Sequence, residues 1–339
     1  DLRGQPTAAA AGPRIEQRLV DDRFTALRQY VSAPEGGKPP IDGTIALLAE
    51  AYNFLNAVET AIRSRMPVPA SDVPNRLKSE GGRLPSPARE LVETVASSSA
   101  HAASLTIRDQ LAKEVRSSIG EFCGQAINGR YPFDRRSARD VTPADFASLF
   151  GPGGKIDSFV QTKLQPYVDT SVKPWRFLDR DGSGLGNDPG TLPQFQRAQA
   201  IRDAFFPSGN QPVLRLEIKP VEMDSAISQL VIDIDGQVVR YNHGPQIPTS
   251  VQWPGPRGSN QIRLQVTPSS NTAGQLIEGP WALLRLFDGR RIEVGKAPER
   301  FSSVFEFEGR KATFEITASS VRNPFTMREL SEFACPNGL

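Results

Sequence analysis

The chain has 339 residues, 38% of them hydrophobic, and its 40 basic and 38 acidic residues leave a net charge of +2. The length allows two domains, and the balanced charge gives no reason to expect a nucleic-acid partner, which usually requires a basic patch. No stretch reaches the roughly 18 consecutive apolar residues that a membrane-spanning helix needs. The chain begins at Asp1 without a Met or an apolar signal region, so we expect it to be a piece of a longer protein.

The first half of the sequence predicts helices. Apolar residues recur at intervals of three and four in residues 42–65 and again in residues 86–127, which is typical of amphipathic helices. We interpret both stripes as faces that pack in a core between helices. They consist of Ile45, Leu48, Tyr52, Leu55 and Ile62 in the first segment, and of Leu91, Val95, Ala102, Leu105, Leu111, Val115, Ile119, Phe122 and Ala126 in the second.

Shorter helices are predicted further along the chain. Thr142 and Pro143 form the pair of a capping side chain and a proline at the first helical position, which begins many helices. Residues 156–168 carry a second short apolar stripe. A last helix is predicted from about residue 192 to 206, because Pro207 cannot continue it.

The stretch DRDGSGLGNDPG, residues 179–190, resembles the start of a calcium-binding loop. Asp179, Asp181 and Ser183 occupy ligand positions of that loop, but its last position, which needs a bidentate Glu, holds Gly190. We interpret the stretch as a solvated loop. A calcium site that uses Asp179 and Asp181 is the alternative.

The second half of the sequence changes to a period of two. Apolar and polar residues alternate, which is typical of antiparallel strands with one buried face. Seven or more short strands at this spacing favour a β-sandwich. Clear alternation is found in residues 214–219, 230–234, 262–267 and 312–317.

Three dipeptides predict tight turns between these strands. Asp235-Gly236 and Asp288-Gly289 are typical of two-residue hairpins, because glycine accepts the positive φ that such turns require. Glu308-Gly309 predicts a third hairpin.

The predicted fold class is therefore α+β by domains. An N-terminal all-α domain would occupy residues 1–206, and an antiparallel β-sandwich would occupy residues 207–339. The helical domain has two candidate positions for a division into subdomains, near residues 67–86 or 128–140.

An enzyme is not expected. His243 could pair with Asp233 or Asp235 and with Ser228, but a triad is defined by geometry, and no G-x-S-x-G elbow is present. The glycine-rich break at residues 151–154 lacks the Gly-Lys-Ser/Thr ending of a phosphate-binding loop. We therefore predict no catalytic residue and no cofactor.

The cysteines leave two alternatives open. Cys123 and Cys335 are the only two, and with two histidines they are too few and too dispersed for a structural zinc site. In a reducing compartment they would be two thiols, and in an oxidising one they would be able to form a disulfide.

Several blocks of the sequence carry a resemblance to a known family. The longest is FCGQAINGRYPFDRRSARDVTPADFASLFGPGGKIDSFVQTKLQPYVD, residues 122–169. Together, and in the order in which they follow each other along the chain, these blocks resemble the C-terminal region of the IcmF/TssM family. Members of this family are large inner-membrane proteins of bacterial type VI secretion systems. The resemblance runs from about residue 120 to the end, while the earlier helices carry no such motif. The further blocks are FQRAQAIRDAFF (195–206), IDGQVVRYNHGPQ (234–246), QWPGP (252–256), GPWALLRLFD (279–288) and FACP (333–336).

This resemblance implies a structural role. It implies a periplasmic segment of an inner-membrane-anchored protein of a Gram-negative bacterium, with helices followed by a β-sandwich and without enzymatic activity or a cofactor. The implied partners are the outer-membrane lipoprotein TssJ, which docks on the β-domain, the DotU-like inner-membrane protein TssL, and further copies of the protein in an envelope-spanning channel. A periplasmic location also favours a disulfide between Cys123 and Cys335.

Four residues are candidates for the partner interface by residue type and expected loop position. Aromatic and arginine side chains supply most of the binding energy in many interfaces, and these four are Tyr241, Trp253, Arg322 and Phe325. For Trp253 and Phe325 the alternative is that they close the ends of the sandwich. The alternative function is a periplasmic carbohydrate- or calcium-binding module that uses residues 179–188 and the aromatic loops.

Overall fold

The structure, a computed structural model, describes residues 17–339 except 65, 67, 68, 70, 179–183, 187, 189 and 271–273. The described residues divide into two units. One contains the chain up to Arg108 together with residues 184–185, and the other contains residues 109–178 and 186–339.

The first unit is helical. It contains α1 (Gln17–Val31), α2 (Pro40–Arg63), α3 (Val73–Gly81) and the N-terminal part of α4 (Ala88–Glu114). Its core joins the C-terminal end of α1 to the inner faces of the other helices. The core residues are Tyr30, Leu47, Ala51, Val73, Leu77, Leu84, Val92 and Ala96.

The two long helices exist as predicted, but the predicted faces are buried only in part: Leu111, Val115, Ile119 and Ala126 at the end of the second stripe are buried, whereas the first stripe and the start of the second are not. Ile45 and Tyr52 of α2 are 56% and 67% exposed, and Leu91 and Leu105 of α4 are exposed as well. Small side chains make up much of the buried faces, because they let helices approach closely, whereas the predicted faces consist mostly of large apolar residues. The buried positions are Thr44, Leu47, Ala51, Val58 and Ala61 in α2, and Val92, Ala96, Ser99, Ala100, Ala103, Ser104 and Leu111 in α4.

The helices of the second unit follow α4 after a π-helical stretch, Val115–Gly120. Thr142 caps α6 as predicted, since its side chain accepts a hydrogen bond from the Asp145 backbone N–H. The last long helix, α8, agrees with the prediction to within one residue at each end. The elements in this part are α5 (Glu121–Ala126), α6 (Pro143–Phe150), α7 (Lys155–Phe159), β1 (Val168–Asp169), β2 (Arg176–Phe177) and α8 (Thr191–Phe205).

The remaining strands form two antiparallel sheets in the same unit. The first has the order β6-β3-β11-β10-β9, and the second has the order β5-β4-β7-β8. Their strands are β3 (Leu214–Met223), β4 (Gln229–Ile234), β5 (Gln237–Tyr241), β6 (Thr249–Trp253), β7 (Gln261–Thr267), β8 (Leu276–Glu278), β9 (Arg291–Val294), β10 (Arg300–Phe307) and β11 (Arg310–Ala318).

Burial alternates along the strands, with buried and exposed residues following each other in β3, β7 and β10. One face of each sheet therefore lies in a core and the other faces solvent. The predicted fold class, helices followed by an antiparallel β-sandwich, is confirmed. The predicted domain division at residues 206 and 207 stays a prediction; by packing, the helices from residue 109 onward lie in the same unit as the strands.

Two of the three predicted hairpin turns are confirmed. Asp235-Gly236 connects β4 to β5 and Glu308-Gly309 connects β10 to β11, with positive φ at all four residues. The third prediction is wrong, because Asp288 ends the helix α9 (Ala282–Asp288) and Gly289 follows it. An Asp-Gly pair after a continuous apolar run also fits the end of a helix, where glycine is common. A short tail helix, α10 (Glu329–Glu332), completes the fold.

We predict that the aromatic core of the sandwich contributes strongly to its stability. Phe287 is buried and makes edge-to-face contacts with Phe301 and Phe325 at ring-centroid distances of 5.4 and 5.2 Å. Phe287→Ala should lower the free energy of unfolding of this unit by about 3–5 kcal/mol, because it removes a large buried side chain and leaves a cavity. The measurement is urea unfolding followed by tryptophan fluorescence.

All three tryptophans of the chain lie in the second unit, so their fluorescence reports on that unit. The control is Val321→Ala at a side chain that is 73% exposed, which should change the free energy by no more than about 0.5 kcal/mol. Equal effects of the two substitutions would contradict the assignment of Phe287 to the core.

Candidate functional site: a junction of helices and sheets in the second unit

Residues 131–141 pack against α9 and the turn before it, and we call this contact the junction. The junction lies within the second unit. Polar groups of residues 131–141 and of residues 281–288 form hydrogen bonds and an ion pair with each other there. Trp281 is buried, and its indole N–H donates a hydrogen bond of 2.8 Å to the carbonyl of Val141. A buried indole N–H needs such an acceptor, so this bond fixes where α9 starts against the helical side.

Tyr131 makes the second buried polar contact of the junction. Its hydroxyl donates a hydrogen bond of 2.6 Å to Oδ2 of Asp288, and Oδ1 of the same carboxylate pairs with Arg135 at 2.9 Å. Burial of the phenol raises the pKa of Tyr131 well above its usual range, and the negative charge of Asp288 raises it further. Tyr131 is therefore a neutral donor that compensates the half-buried carboxylate.

Arg285 of α9 holds the third contact. Its guanidinium group lies 3.8 Å from the ring centroid of Tyr131, forms an ion pair with Asp140, and donates to the carbonyl of Ser137 at 3.2 Å. Gly279 approaches the same carboxylate: it has φ +108°, and a Cβ there would lie 2.6 Å from Oδ2 of Asp140. Glycine is required at this position both by the backbone conformation and by the space.

An aromatic cluster lies next to the junction and joins α6 and α8 to α9. The ring of Phe146 lies 4.8 Å from that of Trp281 and 5.1 Å from that of Phe205, both in edge-to-face geometry. Offset and edge-to-face aromatic pairs of this kind stabilise a core beyond the area they bury. Phe133, Phe150, Phe206 and Phe333 extend the cluster.

The C-terminal tail is fastened to the helices of the same unit. Cys123 and Cys335 form a disulfide with a Cα–Cα distance of 5.6 Å. The hydroxyl of Thr191 donates to the carbonyl of Gly338 at 2.6 Å, and the Ala334 backbone N–H donates to the side-chain oxygen of Gln194 at 2.8 Å. The tail that follows the sandwich is thus bound to α5 and to the start of α8.

The junction explains what the motif blocks have in common. In the sequence, Tyr131, Trp281 and Arg285 stand out only as members of those blocks, and Asp288 only as part of a predicted hairpin turn. The signal was their place in GRYPFDRRSARD and GPWALLRLFD, which are far apart in the chain and meet at the junction.

The structure separates the four candidate interface residues. Trp253 is 2% exposed and donates its indole N–H to the carbonyl of Pro280 at 2.8 Å, and Phe325 is buried against Phe287. Tyr241 is also buried, so these three are packing residues in the conformation described. Arg322 is half-buried, with a side chain that is 39% exposed, and it lies 3.4 Å from Asp203 of α8. A role of the four residues in binding a partner stays a prediction.

The groups considered for catalysis are each used locally. A ring nitrogen of His243 lies 2.6 Å from the carbonyl of Ile227, and the hydroxyl of Ser228 donates to the carbonyl of Thr267 at 3.0 Å. Asp235 is buried and accepts hydrogen bonds from the backbone N–H groups of residues 258 and 259, which fixes the loop between β6 and β7. The geometry is that of turn-stabilising groups.

A cavity of about 190 Å³ lies between α7, α8 and β1. Its floor is apolar and includes Phe150, Trp175 and Phe195. The two charged groups at its rim, Asp157 and Arg202, form an ion pair with each other, and Asp157 also accepts from the Gly153 backbone N–H.

Two further observations concern metals and membranes. The part of the chain that the structure describes contains no cluster of three or more His, Cys, Asp or Glu side chains arranged to hold a metal ion. Asp179 and Asp181, on which the calcium alternative depends, lie outside the described residues. Among the helices that are described, none combines the length and the hydropathy needed to cross a bilayer.

Comparison with known proteins gives one family. The model of the type VI secretion protein IcmF C2-like domain matches residues 216–320. The curated type VI secretion system component TssM1 of Pseudomonas aeruginosa is 40% identical over 345 residues, covering 97% of this chain and 31% of its own length. The chain thus spans about a third of that relative.

Solved structures share the fold. The T6SS protein TssM C-terminal domain from EAEC matches with a TM-score of 0.60 and 20% identity, covering 68% of this chain and 98% of its own. A chain of a type VI secretion system membrane core complex matches with a TM-score of 0.63 and 18% identity, covering 95% of this chain and 64% of its own.

We predict that Tyr131 makes the stability of the second unit depend on alkaline pH. The folded state holds the phenolic proton above the pKa of about 10 of an unfolded tyrosine. Its contribution is therefore complete below about pH 10 and is lost as the pH rises above that value, because deprotonation then favours the unfolded state. Urea unfolding at neutral and at alkaline pH measures this loss.

The control for this prediction is Tyr131→Phe. At neutral pH it should cost about 1–3 kcal/mol, because Asp288 loses a donor in a partly buried site. It should also weaken the alkaline loss of stability relative to the wild type. An ultraviolet titration in which every tyrosine ionises near pH 10 would contradict the assignment.

We predict that the disulfide stabilises the second unit by restricting its unfolded chain. The bond joins residues 212 positions apart, for which the chain-entropy model gives about 5 kcal/mol as an upper value. Reduction should therefore lower the urea midpoint. The double variant Cys123→Ala/Cys335→Ala should have the same lowered midpoint with and without reductant, and a wild-type midpoint unaffected by complete reduction would contradict the prediction.

Proposed function

We propose that this chain, which belongs to the IcmF/TssM family, is a structural segment of the membrane complex of a type VI secretion system. The observation that supports this most directly is the 40% identity to the type VI component TssM1 over 97% of the chain. The domain match at residues 216–320 supports the same assignment independently of the helical part.

The proposed location is the periplasm, as part of a protein anchored in the inner membrane. The disulfide between Cys123 and Cys335 supports this, because disulfides persist in oxidising compartments such as the periplasm and are rare in the cytosol. The family resemblance of the motif blocks points to the same compartment.

The proposed mechanism is mechanical and needs no catalytic step. The sandwich would dock the outer-membrane lipoprotein TssJ, and other parts of the full protein would contact TssL and further copies in the envelope-spanning channel. The junction supports a mechanical role, because Trp281, Tyr131 and Arg285 fasten the sandwich to the helices within one unit. A force applied to the sandwich would then reach the helices through buried contacts.

Docking of this kind has a known physical scale. A specific protein interface buries about 1,200–2,000 Å² in total, and a few aromatic or arginine side chains supply most of its energy. Of the four candidate residues, Arg322 alone is not buried. It is therefore the one at which a truncation tests the interface without removing a core residue.

We predict that the chain binds the cognate lipoprotein with a Kd between nanomolar and micromolar, measured by isothermal titration calorimetry with the intact chain. If Arg322 is an anchor, Arg322→Ala should weaken binding about tenfold or more. The matched control is Asp203→Ala, which removes the intramolecular partner of Arg322 and keeps the arginine. No measurable binding by the folded wild-type chain would overturn the proposed docking function.

A further inference from the structure

The two sides of the sandwich differ in how their outer strands are covered. On one side, the side chain of Gln237 in β5 donates to the Gln252 carbonyl at 2.7 Å and accepts from the Gln252 backbone N–H at 2.8 Å. Gln237 thereby occupies backbone groups on the outer edge of β6. On the other side, Arg290 before β9 and Gln275 before β8 make one long contact of 3.5 Å.

The register of β9 shows which of its backbone groups are open. The Gly295 N–H donates to the carbonyl of Arg300, and Val294 and Ile292 lie opposite Phe301 and Ser303. In an antiparallel pair, hydrogen-bonded and non-hydrogen-bonded residue pairs alternate. The backbone N–H and C=O groups of Ile292 and Val294 therefore point away from β10, and the structure records no hydrogen bond from them to any described residue.

The side chains at this edge are apolar on the inner face. Val294 is 63% exposed and Ile292 is half-buried, and both share the face of the buried Phe301. On the outer face, Arg291 and Glu293 pair with each other at 2.9 Å. The strand contains no proline and pairs with β10 without a bulge, so it lacks two of the devices that keep an edge from pairing with another chain.

Basic residues outnumber acidic ones around the edge, with four basic and two acidic residues between positions 290 and 300. Arg290, Lys296 and Arg300 lie just before or after β9, and none of them forms an ion pair with a described carboxylate. The Nε of Arg290 is buried without a hydrogen-bond partner, and its guanidinium group lies 4.3 Å from the ring centroid of Phe305. Burial lowers the pKa of Arg290 to about 10, which leaves it charged at neutral pH.

We propose that the free edge of β9 is a strand-addition site for an extended segment of another protein, with apolar side chains facing Ile292 and Val294 and an acidic side chain near Arg290 and Lys296. Strand addition of this kind obtains affinity from backbone hydrogen bonds and specificity from alternate side chains. The inference deepens the proposed docking function and rests on it, because it names the surface and the binding mode.

The test uses the intact chain, the lipoprotein and a proline that removes one outward N–H. Val294→Pro leaves the hydrogen bonds to β10 in place, because Val294 is in a non-hydrogen-bonded pair and edge strands tolerate proline where the N–H faces out. It should weaken lipoprotein binding at least tenfold. The matched control Val294→Thr keeps the N–H and should change binding less than threefold. Circular dichroism and thermal unfolding show whether each variant is folded.

Hydrogen exchange provides a readout that does not depend on a variant. In the complex, the amides of Ile292 and Val294 should exchange more slowly than in the free chain. If the lipoprotein binds the wild type and Val294→Pro equally well, and these amides gain no protection, the inference is overturned while the docking function stands. If Val294→Pro is unfolded, the exchange result alone decides.

A peptide separates failure of the edge from failure of the docking function. The probe is acetyl-Glu-Val-Thr-Val-Glu-Val-Thr-amide, added at millimolar concentration to the isotope-labelled chain. Shifts at residues 292–294 that disappear in Val294→Pro support the inference even when the lipoprotein does not bind. Absence of such shifts together with absence of protection overturns it. Concentration-dependent self-association that Val294→Pro abolishes would assign the edge to a second copy and also overturn the proposed partner.

Discussion

The second unit depends on one constraint: the buried polar groups of α9 and of residues 131–141 must find partners in each other. The indole N–H of Trp281 reaches the carbonyl of Val141, and the hydroxyl of Tyr131 reaches Asp288. Buried donors and acceptors without partners are costly, so the two segments cannot separate without exposing or orphaning these groups. This requirement fixes α9, and with it the start of β9, against the helices.

The same constraint explains why the helices from residue 109 and the strands form one unit. The aromatic cluster around Phe146 fills the space beside Trp281, and the disulfide between Cys123 and Cys335 holds the tail that follows the last strand. Three kinds of interaction therefore join the two classes of element: buried hydrogen bonds, aromatic packing and a covalent bond. A segment that transmits force between neighbours in the cell envelope, as we propose, would need such a rigid connection.

The two edges of the sandwich differ in whether their outward backbone groups are hydrogen-bonded within the protein. The side-chain amide of Gln237 forms two hydrogen bonds with the backbone of Gln252 in β6. In β9, by contrast, the backbone N–H and C=O groups of Ile292 and Val294 point toward solvent. An open edge is a liability unless a partner covers it. This contrast links the fold to the proposed docking role. The edge of β6 is covered by a side chain of the same protein, so the edge of β9 is the one available to another chain.

The features that depend on local backbone chemistry could be predicted from the sequence alone. The alternation of the strands, the cap at Thr142 and the turns at Asp235-Gly236 and Glu308-Gly309 follow from side-chain period and from φ preferences, which act over a few residues. Which helix positions are buried depends on tertiary packing, because small residues such as Ala51 allow close packing while Tyr52 remains exposed. Tertiary packing also determines that Asp288 ends a helix and that Cys123 meets Cys335, since both outcomes depend on contacts between segments distant in the chain.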